Sequence, residues 1–231
     1  MSMTMATKRL KKISFEPLQD QVYDTIKTAI MTGKFKAGEK LTVREMATSL
    51  GTSDMPIRAA FNRLLTEGAL GQIATSGTMI IPTMGKENFR EWMSLRAMLE
   101  ERAIKLAAPN VTQDTIDRLT QLRERMELAN QRDDLKSHLD TNFKFKHTLY
   151  SLSHSPLLLQ FIDMLWVRVG PFLRNLSNDI SPAFFDTEVE DVVIEAIQNQ
   201  NPSLAGKAIK DDILFGMKVL LEHDELFDDT P

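Results

Sequence analysis

Apolar positions recur with a helical period from residue 17 onward, and the texture changes near Pro82. Over 17–31, Leu18, Val22, Ile26, Ala29 and Ile30 share one helical face, and Pro17 suits the first turn. Gly33 ends this helix, and 34–40, containing Gly38, reads as a loop. Thr42 caps a short helix through Leu50, and Gly51 supplies the turn. Ser53 caps a third helix, with Pro56 in its first turn, where a missing N–H costs least. Ile57, Phe61, Leu64 and Leu65 form its buried stripe, and Gly68 stops it. Residues 72–75 and 78–82 are short, β-prone arms on either side of Ser76-Gly77, a hairpin pattern.

Beyond Pro82 the pattern is helical throughout. Breaks at Pro109, Asp133-Asp134, Ser155-Pro156, Ser181-Pro182 and Asn201-Pro202 delimit helices near 86–107, 112–132, 135–153, 156–178, 184–199 and 203–224. No repeat of 20–50 residues is visible, so an antiparallel bundle is expected rather than a solenoid. The fold class is therefore mainly α. A flexible basic tail (1–16) precedes a winged helix-turn-helix domain (17–83), and an all-α antiparallel helical bundle (84–231) follows.

Composition narrows the function. The 231 residues are 42% hydrophobic, enough for a sizeable core, and include no cysteine, which removes disulfides, thiolate metal sites and cysteine nucleophiles. No segment approaches the ~20 apolar residues of a membrane helix, so a cytoplasmic protein without membrane attachment is expected. The net charge of −4 divides unevenly. Residues 1–85 carry 11 Lys+Arg against 7 Asp+Glu, and residues 86–231 carry 17 against 25. One part suits phosphate and the other avoids it.

Helix, turn, helix and wing is an order that sets a helix end against base edges of duplex DNA. Removing the buried stripe of the third helix leaves Asp54, Met55, Arg58, Asn62 and Arg63 facing outward. Arg58 suits bidentate contact with guanine, Arg44 suits phosphate or a base edge, and Gly77 lets the wing tip approach the minor groove. The DNA-binding set is Arg44, Ser53, Asp54, Met55, Pro56, Arg58, Arg63 and Gly77. For Arg63 a surface ion pair is the competing reading.

These residues resemble the GntR family of bacterial winged-helix regulators. Ser53-Asp54-Met55-Pro56-Ile57-Arg58-Ala59-Ala60-Phe61 stands where that family reads Ser-Arg-x-Pro-Val-Arg-Glu-Ala-Leu. Gly33, Gly38, Leu41, Glu67-Gly68 and Gly77 also match, and the acidic helical remainder resembles the FCD effector domain of the FadR-like branch. Asp54 departs from the family, whose members carry a DNA-contacting arginine there. A carboxylate cannot pair with phosphate, so a different operator or weaker binding is expected, although Asp54 could accept a hydrogen bond from cytosine N4 or serve the helix N-terminus electrostatically.

Polar residues interrupt the apolar stripes of the bundle. Arg96 falls with Phe89, Trp92, Leu99 and Ala103; Asn142 and Lys146 with Leu135, Leu139 and Leu149; Glu190 with Val193, Ile194 and Ile197; Asp212 with Ala208, Phe215 and Val219. Such groups need each other, a ligand or a metal. The resemblance implies a divalent metal held by Asp or Asn and three His, and it puts Asn142, Lys146, Glu190 and Asp212 at those places. An ammonium repels a metal, so Lys146, held by Glu190 and Asp212, is expected to replace it, leaving no cofactor. A one-residue rotation would bring in His147 as a ligand instead. His138, His154 and His223 read as surface or packing residues.

With Arg96 and Lys146 in one cavity, a small carboxylate effector is expected, as the resemblance also implies. No serine–histidine–acid set, phosphate loop or metal-binding His pair supports an enzyme. The reading is a homodimeric repressor of a double-stranded DNA operator, modulated by effector; dimerisation follows because two-fold symmetry doubles the contacts of a small domain. The alternative is an inert bundle controlled by protein contacts.

Overall fold

The computed structural model describes residues 17–74, 78–174 and 188–228. The expected tail 1–16, the wing tip with Gly77 and the break at Ser181-Pro182 lie outside them.

Helix α1 (Leu18–Met31) buries Val22, Tyr23, Ile26, Ile30 and Met31, while Leu18 faces outward. Gly33, at φ 66°, lets the chain reverse, and the Lys34 N–H donates to Ala29 O at 2.8 Å. Strand β1 (Lys40–Leu41) leads into α2 (Val43–Leu50). Thr42 and Glu45 form a reciprocal capping box, Thr42 Oγ1 accepting from the Glu45 N–H at 3.2 Å. After Gly51 (φ 63°) comes α3 (Asp54–Thr66), which packs Ile57, Ala60, Phe61 and Leu64 into a shared core with α1.

Strands β2 (Gly71–Gln72) and β3 (Met79–Ile80) form the wing, and β1 joins β3 on its other edge. The sheet order β1-β3-β2 thus turns part of the expected 34–40 loop into a third strand. At two residues it is too short to show a period of two.

Among the described residues, six further α-helices build the bundle: α4 (Lys86–Ala107), α5 (Gln113–Asn130), α6 (Leu135–Ser151), α7 (Pro156–Leu173), α8 (Glu188–Gln198) and α9 (Pro202–Leu221). Their starts are fixed locally. Thr112 Oγ1 accepts from the Thr115 N–H, an Asp134 carboxylate oxygen from the Ser137 N–H, and Asn201 Oδ1 from the Leu204 N–H. Helix α4 is central, flanked by α9 and α7, with α5–α6 and α8–α9 as adjacent pairs.

One helix corrects an expectation. By length and composition α7 is apolar enough to cross a membrane. Here it is a core helix, burying Ile162, Leu165, Trp166, Val169 and Phe172, with Asp163 paired to Lys27 of α1 at 3.1 Å.

The two parts share this seam. A Cβ on Gly170 of α7 would meet the carbonyl oxygens of Ile30 and Met31 at 2.5 Å, so α1 sits directly on the α7 backbone. Arg174 donates to the Lys34 carbonyl at 2.9 Å, and Lys34 pairs with Asp140 at 3.5 Å.

Candidate nucleic-acid interface and effector cavity

The first turn of α3 is open to solvent. Ser53 occupies the N-cap position in an extended conformation, but its hydroxyl makes no capping bond, contrary to the expected cap. Met55 is 71% exposed, and Arg58 lies 3.7 Å from Asp54 on the same outward face. At more than half exposure such a pair is weak and yields readily to a stronger partner. Arg44, near the start of α2, is exposed and forms no ion pair among the described residues. Arg44 of α2 and Asp54, Met55 and Arg58 of α3 are thus all exposed, and the weak Asp54–Arg58 pair is the ion pair among them.

Two residues of the expected set behave differently. Pro56 is buried, because helical spacing turns it inward beside Ile57 and Ala60. Arg63 is engaged within the domain, its guanidinium carbon 3.6 Å above the Tyr23 ring centroid. It lies 3.3 Å from Glu67 and 3.5 Å from Asp20. Tyr23 in turn donates to Glu67 at 2.6 Å, and burial followed by that carboxylate pushes its phenol pKa up. Arg63 thus ties α3 to α1, the ion-pair reading of this residue.

The bundle holds a cavity lined by Met31 and Thr32 of α1, Met93 and Arg96 of α4, Leu139, Asn142 and Lys146 of α6, Trp166 and Leu173 of α7, and Asp212, Ile213 and Gly216 of α9. About 20 Å³ is open to the centres of water molecules, room for one or two. Four of the five expected effector residues are here, and Glu190 is not among the lining residues.

Each cation in the wall has an acid. Arg96 donates to Glu100 Oε1 at 2.6 Å and stacks on the Trp166 ring at 4.1 Å. Glu100, fully buried, also accepts from Trp166 Nε1 at 2.8 Å and from the Tyr150 hydroxyl. Burial and the Glu100 charge hold the Tyr150 phenol well above its ordinary pKa. Lys146, 3% exposed, donates to Asp212 Oδ2 at 2.6 Å.

Glu190 is buried too, but among the described residues it makes no ion pair with Lys146, which corrects the expected two-acid clamp. Burial, with the Asp212 charge, raises its pKa to about 7, against the pull of Lys146. His138 proves to be a buried neighbour of this cluster, its Nδ1 2.6 Å from Asn130 Oδ1. Burial lowers its pKa to about 4, with Asp212 opposing and Lys146 adding to the shift.

The helical register selects Lys146 over His147. Lys146 points inward, whereas His147 turns to Asp163 at 3.5 Å and remains 42% exposed in its side chain. The position that a metal would need therefore holds an ammonium bonded to the one carboxylate in the wall. These residues do not fit a divalent ion.

Sequence reading missed Glu100, Tyr150, Trp166, Met31 and Thr32. The spacing of Arg96 and Glu100, four apart on α4, is the signal that could have paired them. On α9 the buried stripe runs through Ala205, Ile209, Ile213 and Gly216, with Asp212 at its edge and Phe215 outside.

Comparison with known proteins agrees with this layout. Residues 18–80 match the bacterial regulatory proteins of the gntR family, and residues 91–214 match the FCD domain. The HTH-type transcriptional regulator McbR of Escherichia coli (strain K12) is 32% identical over 184 residues, 80% of this chain and 81% of McbR. A probable D-xylose utilization operon transcriptional repressor of Paenarthrobacter nicotinovorans is 26% identical over 86% of this chain and 87% of its own length. Among solved structures, E. coli McbR/YncC superposes with a TM-score of 0.82 at 25% identity, covering 90% of this chain and 99% of that one. A putative GntR regulator from Rhodococcus sp. RHA1 shares the fold at a TM-score of 0.70 and 16% identity, over 88% of this chain and 97% of that one. The chain belongs to the GntR family of bacterial transcriptional regulators, in the branch whose second domain is an FCD domain.

Proposed function

We propose that this regulator is a homodimeric repressor that reads duplex DNA with the first turn of α3 and senses a small molecule in the cavity beneath α1. The observation that carries the reading is Arg58, exposed on the outward face of α3 and restrained only by a weak pair with Asp54. Arg44 of α2 adds a second exposed cation, without an ion pair among the described residues, and one relative is named as a repressor. The proposed DNA set is thus Arg44, Ser53, Asp54, Met55 and Arg58. Asp54 would favour an operator unlike that of relatives with arginine at this place, because it adds an acceptor where they add a donor.

Dimerisation is supported by an apolar outer face. Helices α4 and α7 lie side by side and expose Leu95, Met98, Leu157, Phe161 and Met164. Coupling is supported by Met31 and Thr32. Both end α1 and both line the cavity, so an occupant touches the DNA-reading domain itself. A ligand that fits one setting of this seam better than another shifts the balance between them. The metal is replaced by Lys146 in this reading. A carboxylate effector, suggested by Arg96 and Lys146 in the sequence, would have to displace Glu100 or Asp212.

Selection of bound duplexes from a random pool, followed by titration of the best duplex at rising salt, tests the reading. Enrichment of a two-fold symmetric site, with affinity falling steeply as salt rises, is expected. Equal binding to random competitor refutes it.

A further inference from the structure

We infer that the cavity takes an uncharged, largely apolar molecule that donates a hydrogen bond, such as an alcohol or phenol, rather than a free carboxylate. The inference rests on the proposal that the cavity is the effector site.

Charge balance comes first. Arg96 is matched by Glu100 at 2.6 Å, and Lys146 by Asp212 at 2.6 Å. The formal charges of these two pairs cancel, and the further titratable group of this cluster, Glu190, is an acid and adds no positive charge. An entering anion would therefore meet no uncompensated cation and would lose its hydration in a buried site.

The rest of the wall is apolar. Met31, Met93, Leu139, Trp166, Leu173 and Ile213 supply it. One polar atom in it has an unmet need. Asn142 lines the cavity, and its Oδ1 is shielded from solvent with no hydrogen-bond partner among the described residues. A buried acceptor in that state favours any ligand that brings a donor.

Room must be made, because only about 20 Å³ is open to water centres. Met31 and Met93, one from each domain, are the flexible walls. A ligand that pushes Met31 aside moves the end of α1, which joins recognition to sensing.

Matched pairs of probes test this on the full-length protein: benzyl alcohol against benzoate, and 1-hexanol against hexanoate. Thermal shift and DNA-binding titrations at pH 7.5 are the readouts. The alcohol of each pair is expected to raise the melting temperature and change operator affinity, and the carboxylate to do neither. Asn142→Leu should weaken alcohol binding roughly five-fold or more, with Asn142→Ala as the second variant if the larger side chain disturbs packing. Binding by the carboxylates alone overturns the inference and leaves the cavity as the effector site. No response to either member overturns the effector reading and the inference with it. Alcohol binding that neither Asn142 variant weakens also overturns the inference.

Discussion

Gly170 stands so close to Ile30 that a single methyl group on it would collide with the Ile30 carbonyl oxygen at 2.5 Å. This contact sets how near α1 lies to α7, and so how the winged domain sits on the bundle. Gly170→Ala is expected to destabilise the protein by about 1–3 kcal/mol, since backbone on the far side cannot rotate away. Urea denaturation measures the loss. Operator binding should change as well, because the displaced element carries the recognition helix on its other face.

Arg58→Ala should weaken specific operator binding by about 1–3 kcal/mol and leave binding to random DNA far less affected. Asp54→Ala frees Arg58 from its 3.7 Å partner and should broaden the preferred sequence. Arg63→Ala should behave differently, lowering thermal stability through its lost stack on Tyr23, with specificity unchanged. Fluorescence anisotropy on matched and mismatched duplexes separates the three.

The buried titratable pair predicts opposing pH limbs. The Glu190 pKa rises from 4.5 to about 7 on folding, so its folded form keeps a proton that the unfolded chain releases. Stability is then lost as pH rises between these values, by on the order of 3 kcal/mol. The His138 pKa falls from 6.5 to about 4, so stability is lost as pH drops through that window, by a similar order. Wild-type protein should vary little across the overlap. Glu190→Gln should expose the acid limb alone and His138→Gln the alkaline limb alone, as read by urea midpoints from pH 4.5 to 8.

Phe161→Glu and Met98→Glu place a charge on the apolar outer face of α7 and α4. Both are expected to convert a dimer to folded monomers by analytical ultracentrifugation, with a matching loss of affinity for paired half-sites. A dimer unaffected by both variants locates the contact elsewhere.

Lys146 leads to a direct check on composition. Protein purified without chelator should hold well under one equivalent of zinc, nickel or manganese by elemental analysis. Stoichiometric metal would contradict the reading of its ammonium as a replacement charge.

Local signals in the sequence carried much of the architecture. Thr42, Gly33, Gly51 and the breaks at Pro109, Asp134 and Asn201 each act within a few residues, and each is realised in the structure. Long-range partnerships were another matter. Lys146 and Asp212 are 66 positions apart, and no periodicity measures the gap between α6 and α9. Arg63 could face DNA or Tyr23 with the same spacing, because the choice depends on how α1 crosses α3. Met31 and Thr32 looked like an ordinary helix end. Only the position of α7 turns them into cavity wall.

That last arrangement bears on how such regulators can be rebuilt. Since two residues of the reading head belong to the sensor's lining, exchanging the winged module with a relative's would also exchange part of its chemical taste. A chimera joined after Pro82 would inherit foreign side chains at positions 31 and 32, and a new operator would arrive with an altered inducer. Engineers wanting only a new target should graft the outward face of α3 and keep α1 native.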